Sequence, residues 1–204
     1  MKANEFINIW QDFHNQKLKD KTDEFFYYEK KLKTEIVLNS IGQFIAEVYK
    51  KVNKPMKSFR EDYTRDLTIV HDVSENVVIT KSYHDVPLPS TFGYYYNYEI
   101  ILEHENDILL CQQEMIKLTY FKSPLKILIT YCWDENEKDQ CKVYKERAKN
   151  NFKDIIEKSN KKFPENRLTE YLLIIGQKLT AKYKWYCYAY NFTGEIILEE
   201  IIDL

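Results

Sequence analysis

The stretch Tyr98 to Leu118, YEIILEHENDILLCQQEMIKL, decides the fold. From Tyr95 to Glu103 it reads as a strand of aromatic and branched residues, and from Ile108 to Phe121 the apolar positions fall at helical spacing. Next comes Leu125 to Trp133, LKILITYCW, a nearly continuous apolar run of the kind found in strands covered on both faces. A strand, a helix and a buried strand in succession make a crossover onto a mixed sheet.

Working outward, two helices are expected first, Asn4 to Leu18 with Phe6, Ile9, Trp10 and Phe13 on one face, and Thr22 to Lys51 with Phe25, Tyr28, Leu32, Ile36, Phe44, Ile45 and Val48. Lys54 and Pro55 end the second. Strands are expected at Asp66–Val70 and Asn76–Tyr83, with a proline- and glycine-containing loop before Tyr95. After the buried strand, Glu135 to Phe163 reads as a long Lys-rich helix, and Leu168–Gln177, Lys184–Asn191 and Gly194–Ile202 as strands, the last two joined in a hairpin. The expected fold is one α/β domain over residues 1–204: N-terminal helices to residue 54, a core from 62 to 133, and a long helix with C-terminal strands from 134 onward.

Composition narrows the classes. Hydrophobic residues make up 44% and charged residues 30%, with four Gly and five Pro, which excludes collagen-like and low-complexity chains. No apolar run is long enough to span a bilayer and no signal-peptide pattern is present, so the expected address is the cytoplasm, away from membranes. Cys111, Cys132, Cys141 and Cys187 form no CxxC pair and no zinc pattern, and are expected to be reduced thiols. GxxxxGK[ST], GxGxxG and GxSxG are absent, which removes P-loop, dinucleotide and hydrolase-elbow chemistry. His71, His84 and His104 lie in the central region without HxH or HExxH spacing.

The net charge of −2 hides a segregation: residues 61 to 135 hold five basic and thirteen acidic side chains. Crowded carboxylates either bind a cation or spread over a solvated surface. Glu103 and Glu105 share a face at the end of an apolar strand, where a hard divalent cation would neutralise them. The alternative is that one glutamate turns inward to a lysine while the other is solvated. On the following helix Gln113 and Lys117 lie one turn apart, and Lys117 is also an i,i+3 partner of Glu114.

TRDLTIV, YEIILEHEN, QQEMIKL and LKILITY together resemble the PD-(D/E)XK superfamily, the restriction-endonuclease-like fold. The resemblance covers roughly residues 22 to 133 and departs from the pattern at Glu105, where a lysine is usual. It implies a mixed sheet flanked by helices and a Mg²⁺- or Mn²⁺-dependent nuclease. Asp66 and Glu103 would hold the metal, Glu105 would add a ligand or orient water, and Lys117 or Gln113 would take over the missing lysine's part. Asp62, Asp72 and Asp85 rival Asp66, and Glu35 or Glu47 would be the assisting glutamate that the resemblance implies on the first core helix. The alternative function is a non-catalytic module of the same fold for protein or nucleic-acid interaction. The implied partner is nucleic acid, DNA before RNA, with a homodimer compatible with the pattern. Lys142, Lys145 and Lys149 on the long helix would track the phosphate backbone, or else form an ordinary solvated face.

Overall fold

The computed structural model describes residues 1–18, 30–51, 56–62, 65–71, 98–132, 138–162, 164, 167–179 and 182–203. In chain order these form α1 (Ala3–Phe13), a π-helical turn (His14–Leu18), α2 (Lys30–Lys51), β1 (Met56–Asp62), β2 (Arg65–His71), β3 (Tyr98–His104), α3 (Cys111–Thr119), β4 (Leu125–Cys132), α4 (Lys138–Asn160), β5 (Glu170–Leu179), β6 (Lys182–Tyr190) and β7 (Ile196–Asp203). All seven strands join one sheet in sequence order, β1 to β7. Neighbours are antiparallel except at β3–β4 and β4–β5. Those two parallel joins are the ones that need helical crossovers, and α3 and α4 supply them.

β4 is the central strand and is buried at all eight of its residues. It is parallel to both neighbours, Leu102 standing beside Ile127 and Ile127 beside Leu172. Alternation along the strands sorts side chains into two cores. On one face Ile100, Leu102, Ile127, Ile129, Ile174 and Trp185 pack with Phe6, Trp10 and Phe13 of α1 and Ile41 and Ile45 of α2. On the other, Ile101, Leu128, Tyr171 and Leu173 pack with Met115 and Leu118 of α3 and Phe152 and Ile156 of α4. Two covered faces explain why β4 carries no alternating pattern.

At one point the first core has no room for a Cβ. A methyl group built on Gly176 of β5 would stand 2.7 Å from the Trp185 ring and 2.9 Å from the Tyr131 ring. Both rings are fully buried, so neither can step aside. Gly176→Ala should cost roughly 2 kcal/mol or more of unfolding free energy, read by urea denaturation; a cost within 0.5 kcal/mol, the ~0.5 scale of an ordinary surface change, would show that the rings give way.

Three expectations need correction or fall outside the described residues. β1 has no counterpart in the sequence reading; its MKSFRED pairs antiparallel with β2 from Met56–His71 to Asp62–Arg65. The cysteines are not all thiols: Cys132, the last residue of β4, is joined to Cys141 in the first turn of α4, with Cα atoms 6.0 Å apart. The start of α4 lies beside the end of β4 and brings the two sulfurs together, which no spacing motif marks. Cys111 and Cys187 are free and buried. The strand expected at Asn76–Tyr83 and the start of the second helix, with Asp72, Asp85 and His84, lie outside the described residues.

A second surprise lies inside β4. Lys126 sits between Ile101 and Tyr171 in register and is 0% exposed. Its Nζ has no hydrogen-bond partner and lies 5.1 Å from the centre of the Tyr171 ring. With nothing but a ring face to compensate for lost water, burial pulls its pKa down to about 7.

Candidate functional site

The acidic end of β3 is built by strand alternation and one short helix. Ile101 and Glu103 face α3, while Leu102 and His104 face α2. Asp66 of β2 is the residue beside Glu103, because Leu67 pairs with Leu102. Its Oδ2 accepts the backbone N–H of His104 at 2.7 Å, which ties the strand end to β2.

Beyond His104 the chain stays on the sheet for a few residues before the helix starts. Glu105 N–H donates to Ile129 O at 2.9 Å and Ile108 N–H to Tyr131 O at 3.1 Å. Glu105 folds back so that Oε1 accepts Asp107 N–H at 3.0 Å. That anchored turn starts α3 above the Glu103 side of the sheet, and Met115 and Leu118 bury its inner face.

α3 then delivers Lys117 to Glu103. Lys117 Nζ donates to Glu103 Oε2 at 2.7 Å and to Glu114 Oε2 at 2.8 Å. Glu103 has no exposed side-chain surface, whereas Lys117 is 25% exposed and reaches solvent. Glu103 Oε1 is buried with no partner. Burial raises the Glu103 pKa, the Lys117 hydrogen bond opposes it and Asp66 adds to it, and the result is about 8. Burial works against the Lys117 ammonium, but its hydrogen bonds to Glu103 and Glu114 outweigh burial and hold its pKa above the ordinary lysine value. Glu105 is raised as well, by burial first and by Glu114 and Asp107.

The other face of the strand end is a network of side-chain hydrogen bonds. His104 Nε2 and the Tyr131 hydroxyl lie 2.8 Å apart, and His104 Nδ1 lies 3.2 Å from Thr34 Oγ1 of α2, which also accepts Asn106 Nδ2 at 3.1 Å. Sequence reading missed Tyr131 and Thr34. Their partner His104, next to Glu103, was the signal, since a histidine flanked by acids at a buried strand end must find hydrogen bonds.

Asp66, Glu103, Glu105, Glu114 and Lys117 therefore gather around the end of β3. Gln113 does not join them; it is exposed on the outer face of α3. Glu47 is exposed on α2, and the side chains of Glu35, Asp62 and His71 lie outside the described residues. Glu103 and Asp66 offer the hard oxygen donors that Mg²⁺ or Mn²⁺ prefers. Among the described residues, however, no group of three or more His, Cys, Asp or Glu side chains is placed to hold a metal ion.

The Lys-rich face of α4 is partly committed to the sheet. Lys145 Nζ lies 3.4 Å from the Tyr186 ring centre and donates to Gln177 Oε1 at 2.9 Å. Lys149 reaches Glu199 at 3.1 Å and the Tyr188 ring at 4.8 Å. Of the three lysines expected to follow a phosphate backbone, Lys142 is the exposed one.

No family model matches the chain, and no curated protein does. Among solved structures it is similar to a carbon–nitrogen hydrolase from Helicobacter pylori G27, at 10% identity and a TM-score of 0.43, over 99% of this chain and 83% of that one. The expectation of a metal-dependent nuclease is withdrawn, because the comparisons support neither it nor its alternative, a non-catalytic restriction-endonuclease-like interaction module. A likeness this distant assigns no reaction to the chain, and the reading of the site rests on its own geometry.

Proposed function

We propose that the end of β3 is the proton-transfer centre of a hydrolase acting at a carbonyl carbon, with Glu103 as the acid–base group and Lys117 as the positive charge beside it. One observation carries it: a fully buried carboxyl with a free Oε1 stands 2.7 Å from an ammonium that reaches solvent. A carboxyl whose pKa is about 8 exchanges its proton near neutral pH, where general acid–base catalysis is most effective. Lys117 holds a second partner in Glu114 at 2.8 Å, so it can swing off Glu103 without becoming unpaired and let water in.

The steps balance. Glu103 as carboxylate takes a proton from water, the water oxygen bonds to the carbonyl carbon, and the carbonyl oxygen becomes an oxyanion facing the Lys117 ammonium. Collapse breaks the bond to the leaving nitrogen or oxygen, which takes the proton back from Glu103. The bonds that such a pair serves are carboxamides and esters.

A panel of chromogenic anilides and esters tests the reading. The rate should rise with pH through about 8, the Glu103 value. Lys117→Met should lower kcat by ~10² or more by removing the charge that faces the oxyanion. Glu103→Gln should abolish turnover while leaving the circular dichroism unchanged. Hydrolysis that survives Glu103→Gln, or no hydrolysis of any member of the panel, would sink the proposal.

A further inference from the structure

The disulfide Cys132–Cys141 joins the central strand to α4, the helix that packs along α3. Cys132 ends the central strand and Cys141 lies in the first turn of α4. α4 packs along α3, the helix that holds Lys117 and Glu114 against the sheet. The start of α3 is pinned to the residue next to the disulfide, Ile108 N–H donating to Tyr131 O at 3.1 Å. Cys111, Ile108, Cys132, Cys141 and Ala148 belong to one apolar cluster. What holds α4 to β4 therefore also holds α3 down.

We infer that Cys132–Cys141 is a reversible thiol–disulfide switch that controls how tightly α3 closes over Glu103. The bridged residues are nine apart in sequence, and so short a ring contributes at the small end of what disulfides contribute. Both cores extend far beyond it, so the domain stays folded when it is cut; a bridge that can open without unfolding the protein can signal. A small thiol such as glutathione attacks one sulfur, the S–S bond breaks to give a mixed disulfide and one protein thiol, and a second glutathione releases the other. Two electrons pass from two glutathiones to the cystine, leaving glutathione disulfide and two protein thiols. Cys111 takes no part as a nucleophile, since burial pushes its thiol up to about 12.

Opening the bridge frees the first turn of α4, loosens α3 and lets water reach Glu103. The inference concerns the site proposed above, but its readouts need no substrate, so the two fail separately. Full-length protein is equilibrated in graded ratios of reduced to oxidised glutathione. Alkylation with mass counting reads the pair, amide exchange reads α3, and the carboxyl ¹³C shift reads the titration midpoint of Glu103. A single reversible transition is expected. In the reduced protein α3 amides should exchange at least tenfold faster, and the Glu103 midpoint should fall by at least half a unit. Cys132→Ser with Cys141→Ser should reproduce the reduced state at every ratio, and Cys187→Ser should change nothing. A pair that stays reduced or stays bridged throughout, or a transition that leaves exchange and midpoint alike in both states, overturns the switch.

Discussion

Lys126→Met will stabilise the domain by roughly 4 to 5 kcal/mol at pH 6, as 1.36 kcal/mol per unit of pKa shift requires. The native amine is fully buried without a hydrogen-bond partner, and its pKa is lowered from 10.5 to about 7. Between those values the unfolded chain binds the proton and the folded chain does not, so native stability rises with pH across the window. The full cost of Lys126 is present below pH 7 and has vanished above 10.5. Methionine fills a similar volume and has nothing to protonate. Urea denaturation at pH 6 and at pH 10 should give a large gain at the first and almost none at the second. Equal gains at both, or a loss at pH 6, would mean that the amine is solvated in the native state.

Glu103→Gln should show the opposite pH dependence. The carboxyl has its pKa raised from 4.5 to about 8. Between these values the folded chain holds a proton that the unfolded chain has released, so native stability is greatest below pH 4.5 and is lost as pH rises through 8. Glutamine removes that loss, and its carbonyl can still accept the Lys117 hydrogen bond, though without the charge assistance. The expected gain is about 2 to 4 kcal/mol at pH 9 and near zero at pH 4.5, from the same conversion less one charged hydrogen bond. A substitution that destabilises at both pH values would show that the Lys117–Glu103 pair holds the native state together as an ion pair.

The two groups lie on one face of adjacent parallel strands, Lys126 beside Ile101 and Glu103 beside Leu128. The sum of their penalties is greatest between pH 7 and 8, the values of the lysine and the carboxyl. In these two terms the domain is weakest near neutrality, where its proposed chemistry runs. Sites that need reactive groups commonly give up stability to hold them.

What could be read from the sequence depended on whether a residue's environment was set locally. β4 was legible because an eight-residue strand buried at every position leaves an uninterrupted apolar run. β3 and α3 were legible from a change of period over a few residues, and the Glu103–Lys117 encounter follows from the short anchored turn between them. β1 was not, because it lies at the sheet edge and its MKSFRED lacks an apolar stripe. The disulfide was hidden because its sulfurs meet only through the placement of α4 beside the end of β4. Lys126 stood in plain view inside LKILITY, and its environment is the more instructive miss: a lysine in a strand covered on both faces has no surface to snorkel to. The function implied by the short acidic motifs finds no support in the comparisons.

The order of the strands has a consequence for how the chain reaches its native state. Every strand pairs with its neighbour in sequence, so the sheet can grow by hairpins and two crossovers without waiting for distant segments. α1 is the exception. Its Phe13 meets Phe44 of α2, but its Trp10 packs edge-on against Trp185 of β6 with ring centres 5.0 Å apart, so the apolar face of α1 is not fully covered until β6 exists. During synthesis Trp10 lacks its partner ring while almost the whole sheet is made, a standing invitation to misassociation and to chaperones. Docking of α1 is therefore the long-range step that completes folding, and the Trp10–Trp185 pair is a built-in fluorescent reporter of it.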